Sequence, residues 1–132
     1  MFRAFILIFF VFFLFVSPSY ATRLHYEKEY NVIFCDYMGG KREVSLSDRG
    51  RVDCVTASEA IELDFSDKWA EGIGQALYYA IMTNKSPAVA LIIENHKAGG
   101  YHIARAIRVC RKYNVTLYII TGFGAQYIKK LN

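Results

Sequence analysis

The sequence lacks internal repeats, low-complexity tracts and linker-like segments, so its 132 residues allow one domain and little else. It also has few cysteines: Cys35, Cys54 and Cys110 form no C-x-x-C pair, which argues against a structural zinc site. An odd count leaves at least one thiol without an intramolecular partner, although export would make one disulfide possible. Cys54 falls on the apolar face of a predicted strand, and we interpret it as a buried, unreactive thiol.

Long apolar runs are missing except at the start of the chain. Arg3 precedes an unbroken apolar run over residues 4–16, and Ser19 and Ala21 supply the small residues of a cleavage site. The run of 13 residues is shorter than the ~18–20 needed to span a bilayer. We therefore predict a signal peptide over 1–21, a mature domain over 22–132, a periplasmic or secreted location, and no stable membrane association after cleavage. The alternative is an uncleaved anchor, which would leave the same domain outside the cytoplasm.

A strong excess of either charge is also missing. Loss of Arg3 lowers the formal net charge from +4 to +3, which is compatible with a polyanionic partner but common among ordinary domains. Arg105, Arg108 and Lys112 lie along the outer side of a predicted helix. They could contact a phosphate backbone, or they could be the solvated face of an amphipathic helix.

Hydrophobic periodicity predicts the element order α-β-β-β-α-β-α-β. The predicted helices cover residues 25–38, 66–83 and about 101–113, and the predicted strands cover 41–47, 51–56, 60–65, 88–93 and 115–121. Residues 122–132 show no clear periodicity beyond a short terminal helix. The second helix has an apolar stripe formed by Trp69, Ile73, Ala76, Leu77, Ala80 and Ile81. This order predicts an α/β fold, in which a meander leads into a parallel β-α-β unit and helices cover both faces of a mixed sheet.

The strongest local signal is the hairpin over residues 51–64. A two-residue loop at 57–58 would place Asp53 directly opposite Glu62, and Cys54 opposite Ile61. Asp64 lies on the same face as these two acids, because side chains alternate along a strand.

Opposed carboxylates repel each other, and a divalent cation would remove that repulsion. Asp53, Glu62 and the carbonyl of Leu63 would suit Mg²⁺. The alternative is a solvent-exposed face on which Arg51 neutralises Asp64.

The helix after this hairpin carries polar side chains on one side. Lys68, Glu71 and Gln75 lie there together with Tyr78 or Tyr79, opposite the apolar stripe. A lysine in this position could hold a phosphate or the attacking water. Lys68 and Glu71 could equally form only a solvated ion pair.

From about residue 26 to residue 121, these features resemble the PD-(D/E)XK nuclease superfamily, whose core has the order αβββαβ. Arg51-Val-Asp53 stands where the first acidic residue of the signature belongs, and Ala60-Ile-Glu62-Leu-Asp64 stands where the (D/E)-x-K strand belongs. Gln75 and Tyr79 look like the Gln-x-x-x-Tyr helix motif of RecB-like members. Glu29 matches the acidic residue that many members place on the first helix. The chain departs from the signature at Asp64, where the lysine is expected, and Lys68 is placed to substitute for it.

The resemblance implies metal-dependent hydrolysis of phosphodiester bonds in nucleic acid, with DNA expected rather than RNA. Asp53 and Glu62 would hold Mg²⁺ or Mn²⁺, with Glu29 as an additional ligand. Lys68 would orient or activate the water, while Gln75 would position Lys68 or a phosphate oxygen and Tyr79 would support the wall of the site. Because Asp64 replaces the signature lysine, one alternative is an inactive nuclease fold that acts as an exported nucleic-acid-binding or interaction module. A second alternative is an unrelated exported α/β domain whose acidic hairpin is incidental.

Overall fold

The computed structural model describes residues 22–131, so the predicted signal peptide lies outside the described residues. The helices of this range are α1 (Glu27–Tyr37), α2 (Trp69–Thr83) and α3 (His96–Tyr113). Its strands are β1 (Lys41–Ser45), β2 (Arg51–Val55), β3 (Glu59–Phe65), β4 (Ser86–Ile92), β5 (Thr116–Ile120) and β6 (Ile128–Lys130). No helix in this range is long and apolar enough to cross a membrane.

The six strands form one mixed sheet in the order β1-β2-β3-β4-β5-β6. The pairs β3–β4 and β4–β5 are parallel, and the other neighbours are antiparallel. Cys54 pairs with Ile61 and Val55 with Ala60, as the two-residue hairpin loop requires. The predicted α/β class and mixed sheet are therefore confirmed. The predicted pair Cys54–Ile61 is present, whereas the predicted pair Asp53–Glu62 is not part of the ladder.

Helices cover both faces of the sheet. Helix α1 packs on one face, where Phe34 is fully buried against Ile61 and Leu63. Helices α2 and α3 pack on the other face, where Ile73 and Ile103 join a core cluster with residues of β4 and β5. Strand β4 lies between these two layers, which explains why its sequence is apolar without alternation.

Helix α3 begins earlier than predicted, because Gly99 and its neighbouring glycine lie inside the helix instead of before it. The Asn95 side chain caps the helix by accepting hydrogen bonds from the N–H groups of Lys97 and Ala98. A Cβ at position 99 would lie 2.4 Å from Cγ2 of Ile93, so glycine is needed for close helix–strand packing.

Two other predictions are wrong. The pattern places Ile81 in the apolar stripe of α2, but this residue is 78% exposed. Ile81 follows the buried Ala80, and consecutive side chains of a helix point in directions about 100° apart, so Ile81 points away from the core. The C-terminal segment forms a 3₁₀ turn (Ala125–Tyr127) and strand β6 instead of a terminal helix, and a three-residue strand is too short for periodicity to reveal.

The interpretation of Cys54 as a free thiol is also wrong, because Cys54 forms a disulfide with Cys35. This bond joins α1 to β2, and neither residue is accessible to solvent. A Cβ at Gly40 would lie 2.5 Å from Sγ of Cys54, so the turn after α1 needs a glycine beside the disulfide. Cys110 is the remaining free cysteine and is buried.

Candidate functional site

The sheet opens on both sides of Asp53 in the middle of β2. The β1–β2 ladder pairs Arg42 with Cys54 and Val44 with Val52, but it omits the intervening position at which Glu43 would face Asp53. Glu43 has a φ of 55°, a left-handed conformation that a strand residue rarely adopts. On the other side, the β2–β3 ladder ends at the pair formed by Cys54.

Side chains replace the missing ladder bonds. The backbone carbonyl of Asp53 accepts a hydrogen bond from Nδ2 of Asn31, on α1, at 2.9 Å. Oδ2 of Asp53 accepts a hydrogen bond from the N–H of Leu63, on β3, at 2.8 Å. Nδ2 of Asn31 also lies 3.2 Å from Oε1 of Glu43. Asn31 itself is buried, with 3% exposure, so these hydrogen bonds connect α1 to β2 in the interior of the protein.

Four acids near this opening, Glu27, Asp53, Glu62 and Asp64, lie close enough for their charges to act on one another. The negative charge of Asp53 acts on Glu62, and the negative charge of Glu27 acts on both Glu62 and Asp64. Glu62 and Asp64 are only 7% and 4% exposed. Oε2 of Glu62 is buried and has no hydrogen-bond partner among the described residues. A buried carboxylate oxygen without a partner is costly, so this atom is suited to bind a cation or hold a proton.

Burial is the main cause of the raised pKa values in this cluster. It raises the pKa of Glu62, and the negative charges of Asp53 and Glu27 raise it further. Burial also raises the pKa of Asp53, although the hydrogen bond from Leu63 partly offsets the effect. The pKa of Asp64 rises to about 7 through burial and the nearby charge of Glu27. The cluster therefore retains protons near neutral pH when no cation is bound.

Three of these acids, Glu27, Asp53 and Glu62, line a surface groove. One part of it, with a volume of about 610 Å³, is lined by Glu27, Ser45, Arg49, Gly50, Arg51, Asp53, Glu62, Gln75 and Tyr79. A second part, of about 950 Å³, lies between α1 and the β1–β2 hairpin and shares Glu27, Arg51 and Asp53 with the first. We call the two parts together the acidic groove. Two arginines at positions 49 and 51 line it and are exposed.

Several residues singled out from the sequence lie together in this groove. Gln75 and Tyr79 line it from α2, and the Tyr79 ring packs against Val52 and Ala60. Lys68 ends the 3₁₀ turn before α2, is exposed, and lies near enough to Asp64 for its charge to lower that carboxyl's pKa. Helix α2 lies close to β3 at this point, because a Cβ at Gly72 would lie 3.4 Å from Cβ of Asp64.

Glu29 lines the larger part of the groove with Glu27 and Asp53, but its carboxylate is engaged at the start of α1. Its Oε2 accepts a hydrogen bond from the N–H of Tyr26 at 2.6 Å, which caps the first turn of α1, and lies 4.0 Å from Nδ1 of His25. Glu27 is the acid of α1 whose negative charge raises the pKa of Glu62 and of Asp64. It precedes the buried residues Asn31 and Phe34 by four and seven positions, a helical spacing that the sequence already contained.

Two more contributors could not be found by sequence reasoning. Asn31 and Glu43 contribute because the β1–β2 ladder is interrupted at Glu43 and Asp53. The hydrophobic pattern of a sequence does not reveal such an interruption. Arg51 pairs with Glu43 at 2.6 Å, whereas the hairpin pattern suggests that it neutralises Asp64.

The opening offers two neighbouring carboxyl groups, Asp53 and Glu62, as possible ligands of a divalent cation. In residues 22–131, no three or more His, Cys, Asp or Glu side chains are grouped so that they could hold a metal ion together. Asp53 and Glu62 still offer adjacent carboxyl groups and one buried oxygen without a partner. Mg²⁺ is often bound by only one or two carboxylates, with water completing its coordination.

No model of a known protein family matches the chain, and no solved structure matches it. The chain is similar to a KilA-N domain-containing protein of Acanthamoeba polyphaga mimivirus. The two are 31% identical over 104 residues, which cover 78% of this chain and 39% of the viral protein. The chain thus corresponds to well under half the length of this viral relative.

Proposed function

We propose that the protein is a nucleic-acid-binding domain and that the acidic groove is its binding site. The observation that carries the proposal is that two exposed arginines, Arg49 and the Glu43-paired Arg51, line the same groove as the acids Asp53 and Glu62. The resemblance of the hairpin and of α2 to nucleases of the PD-(D/E)XK type supports it. The similarity to a viral KilA-N domain-containing protein is compatible with it.

The basic side chains of the groove are the ones that would contact a phosphate chain. Lys28, Lys41 and Arg42 line its larger part together with the acids Glu29, Asp36 and Glu43, and Arg42 is ion-paired with Asp36. Contacts of lysine and arginine with phosphates supply most of the affinity in binding without sequence preference. The carboxyl groups below repel phosphate less when they hold protons or a cation, and their raised pKa values favour the protonated form.

Neutralising the arginine rim tests this proposal. We expect the double variant Arg49→Gln/Arg51→Gln to bind a labelled 20-mer about ten-fold more weakly than the wild type at low salt, because two phosphate contacts are lost. Fluorescence anisotropy with single-stranded and duplex DNA and RNA, in EDTA and at several salt concentrations, measures the change.

The matched control is Lys129→Gln/Lys130→Gln, which removes the same charge from β6, away from the groove. It should bind within about two-fold of the wild type. If the wild-type protein binds none of the four nucleic acids at about 50 mM salt, the proposed function is wrong.

A second candidate function is metal-dependent hydrolysis of phosphodiester bonds, and the unpartnered Oε2 of Glu62 favours it. Asp53 and Glu62 would hold Mg²⁺ or Mn²⁺. When bound, such an ion lowers the pKa of water and neutralises charge on phosphate. Gln75, which lines the groove, would position a phosphate oxygen, and Tyr79 would form the wall beside it. Lys68 would bring positive charge toward the attacking water from the start of α2, in place of the lysine that Asp64 replaces.

Cleavage of labelled DNA and RNA in Mg²⁺, Mn²⁺ or EDTA tests the second candidate. We expect cleavage in Mn²⁺ or Mg²⁺ that EDTA abolishes, and a loss of about 100-fold or more in Glu62→Gln. The control Glu59→Gln changes an acid at the start of β3 that lines neither part of the groove, and it should retain activity. Binding without metal-dependent cleavage would instead identify an inactive nuclease fold that serves as a binding module.

We also propose that the protein acts outside the cytoplasm, in the periplasm or as a secreted protein. The Cys35–Cys54 disulfide supports this location, because disulfides persist mainly in oxidising compartments. Mass spectrometry of the exported protein should find Thr22 as its first residue, since cleavage is expected after Ala21. A cytoplasmic protein that retains residues 1–21 and has three free thiols would contradict the proposal.

A further inference from the structure

Helix α3 carries the positive charge of the domain. Five of the 16 lysines and arginines of the chain lie in it, and none of the 12 acidic residues does. If α3 and Arg3 are set aside, ten basic and twelve acidic residues remain, which gives a net charge of −2. The mild positive charge of the whole chain is therefore concentrated on one helix.

The five basic side chains form an exposed surface. They are Lys97, Arg105, Arg108, Arg111 and Lys112, and all five residues are exposed. All of them except Arg111 follow one another at intervals of eight, three and four residues, which places these four on one side of the helix. We call these five residues the α3 basic surface. From first to last it extends over about 22 Å, at 1.5 Å of rise per residue.

Within residues 22–131, no carboxylate neutralises this surface. The basic partners in the ion pairs of the described residues all lie outside α3. They are Arg23, His25, Arg42 and Arg51. On α3, the guanidinium of Arg105 instead stacks on the ring of Tyr101, with 4.1 Å between Cζ and the ring centroid.

Helix stability accounts for only part of this charge pattern. Arg111 and Lys112 lie in the last turn, where a cation interacts favourably with the helix dipole. Lys97 lies in the first turn, where a cation is unfavourable and where α3 has no acidic residue. Arg105 and Arg108 lie in the middle, where the dipole has little effect. The helix dipole therefore favours only two of the five charges, and of the other three only Arg105 has a contact within the helix, with Tyr101.

We infer that the α3 basic surface is a second contact site for the phosphate backbone of nucleic acid, separate from the acidic groove. The inference rests on the proposed nucleic-acid-binding function. No α3 residue lines either part of the groove, so the two sites are distinct surfaces of the domain. A basic surface about 22 Å long spans about six base pairs of duplex, at 3.4 Å of rise per pair.

The distribution of apolar residues on α3 favours nucleic acid over an anionic membrane as the occupant. A helix that lies in a membrane surface presents an apolar face to the lipid beside its basic residues. The apolar residues Ile103, Ala106 and Cys110 of α3 are buried in the core cluster with α2 and the sheet. The exposed side of the helix offers charge and the rings of Tyr101 and Tyr113, and no large aliphatic residue of α3 is exposed.

Removal of two α3 charges tests the inference. The variant Arg105→Gln/Arg108→Gln should bind a 20-base-pair duplex about ten-fold more weakly than the wild type at about 50 mM salt. The slope of log Kd against log salt should fall by about 1 to 2, because up to two phosphate contacts are lost. The control Lys129→Gln/Lys130→Gln changes the net charge equally and should alter Kd by less than about two-fold. Circular dichroism and the thermal midpoint verify that all variants are folded.

The outcomes separate this inference from the proposed function. If the groove variant Arg49→Gln/Arg51→Gln weakens binding and the α3 variant does not, the α3 site is wrong and the proposed function stands. Equal weakening by the α3 variant and the control would mean that net charge alone matters, which also overturns the inference. A third outcome would assign the surface to a membrane. In that case the wild type binds phosphatidylserine vesicles, and the α3 variant loses this binding but binds nucleic acid as the wild type does. If the wild type binds no nucleic acid, both proposals fail.

Discussion

The hydrogen bonds that replace the strand ladder at Asp53 are the interaction on which the candidate site depends. An unbroken ladder would pair Asp53 with residues on both neighbouring strands. Instead, Asn31 donates to the Asp53 carbonyl, and the Asp53 carboxylate takes the N–H of Leu63. These bonds satisfy backbone groups that would otherwise be unpaired inside the protein. They also leave a gap through which Glu27, on the α1 side of the sheet, reaches the acids of β3.

The disulfide strengthens this arrangement because Cys54 is the residue directly after Asp53 in β2. It joins β2 to α1 through Cys35, and the same helix supplies Asn31 and Glu27. The position of α1 therefore sets both the opening of the sheet and the placement of one of its acids. Formation of the candidate site and oxidation of the two cysteines are thus structurally connected.

The carboxyl cluster opposes folding at neutral pH. A group whose pKa is raised in the folded state stabilises the fold below its ordinary pKa, and this contribution is lost as the pH rises through the folded value. For Asp64 the loss takes place between about pH 4 and pH 7, since burial raises its pKa to about 7. A cation held by Asp53 and Glu62 would reduce the repulsion among the acids. Buried acids that reduce the stability of the fold at neutral pH are typical of a ligand-binding or catalytic site.

Periodicity in the sequence was sufficient to predict the hairpin and the centre of the sheet. The alternation along residues 51–65 set the hairpin register and placed Asp53 beside Glu62, and the apolar run of β4 located the buried central strand. Features that depend on tertiary contact were not predicted, namely the partner of Cys54, the role of Glu27 and the short strand β6. Glu29 was assigned by motif position, whereas the choice between it and Glu27 depends on how far α1 is rotated about its axis. That rotation is set by the packing of Phe34 and by the disulfide, and neither is part of the motif.

The most direct test of the central claim is an NMR titration of the Asp and Glu side-chain carboxyls in metal-free buffer. Convergence of buried acids at Asp53 predicts that Glu62 and Asp64 titrate above about pH 6. It also predicts that Asp53→Asn lowers the midpoint of Glu62, because a neighbouring negative charge is removed. If all 12 side-chain carboxyls titrate below about pH 5, the acids do not converge and the account of the site is contradicted.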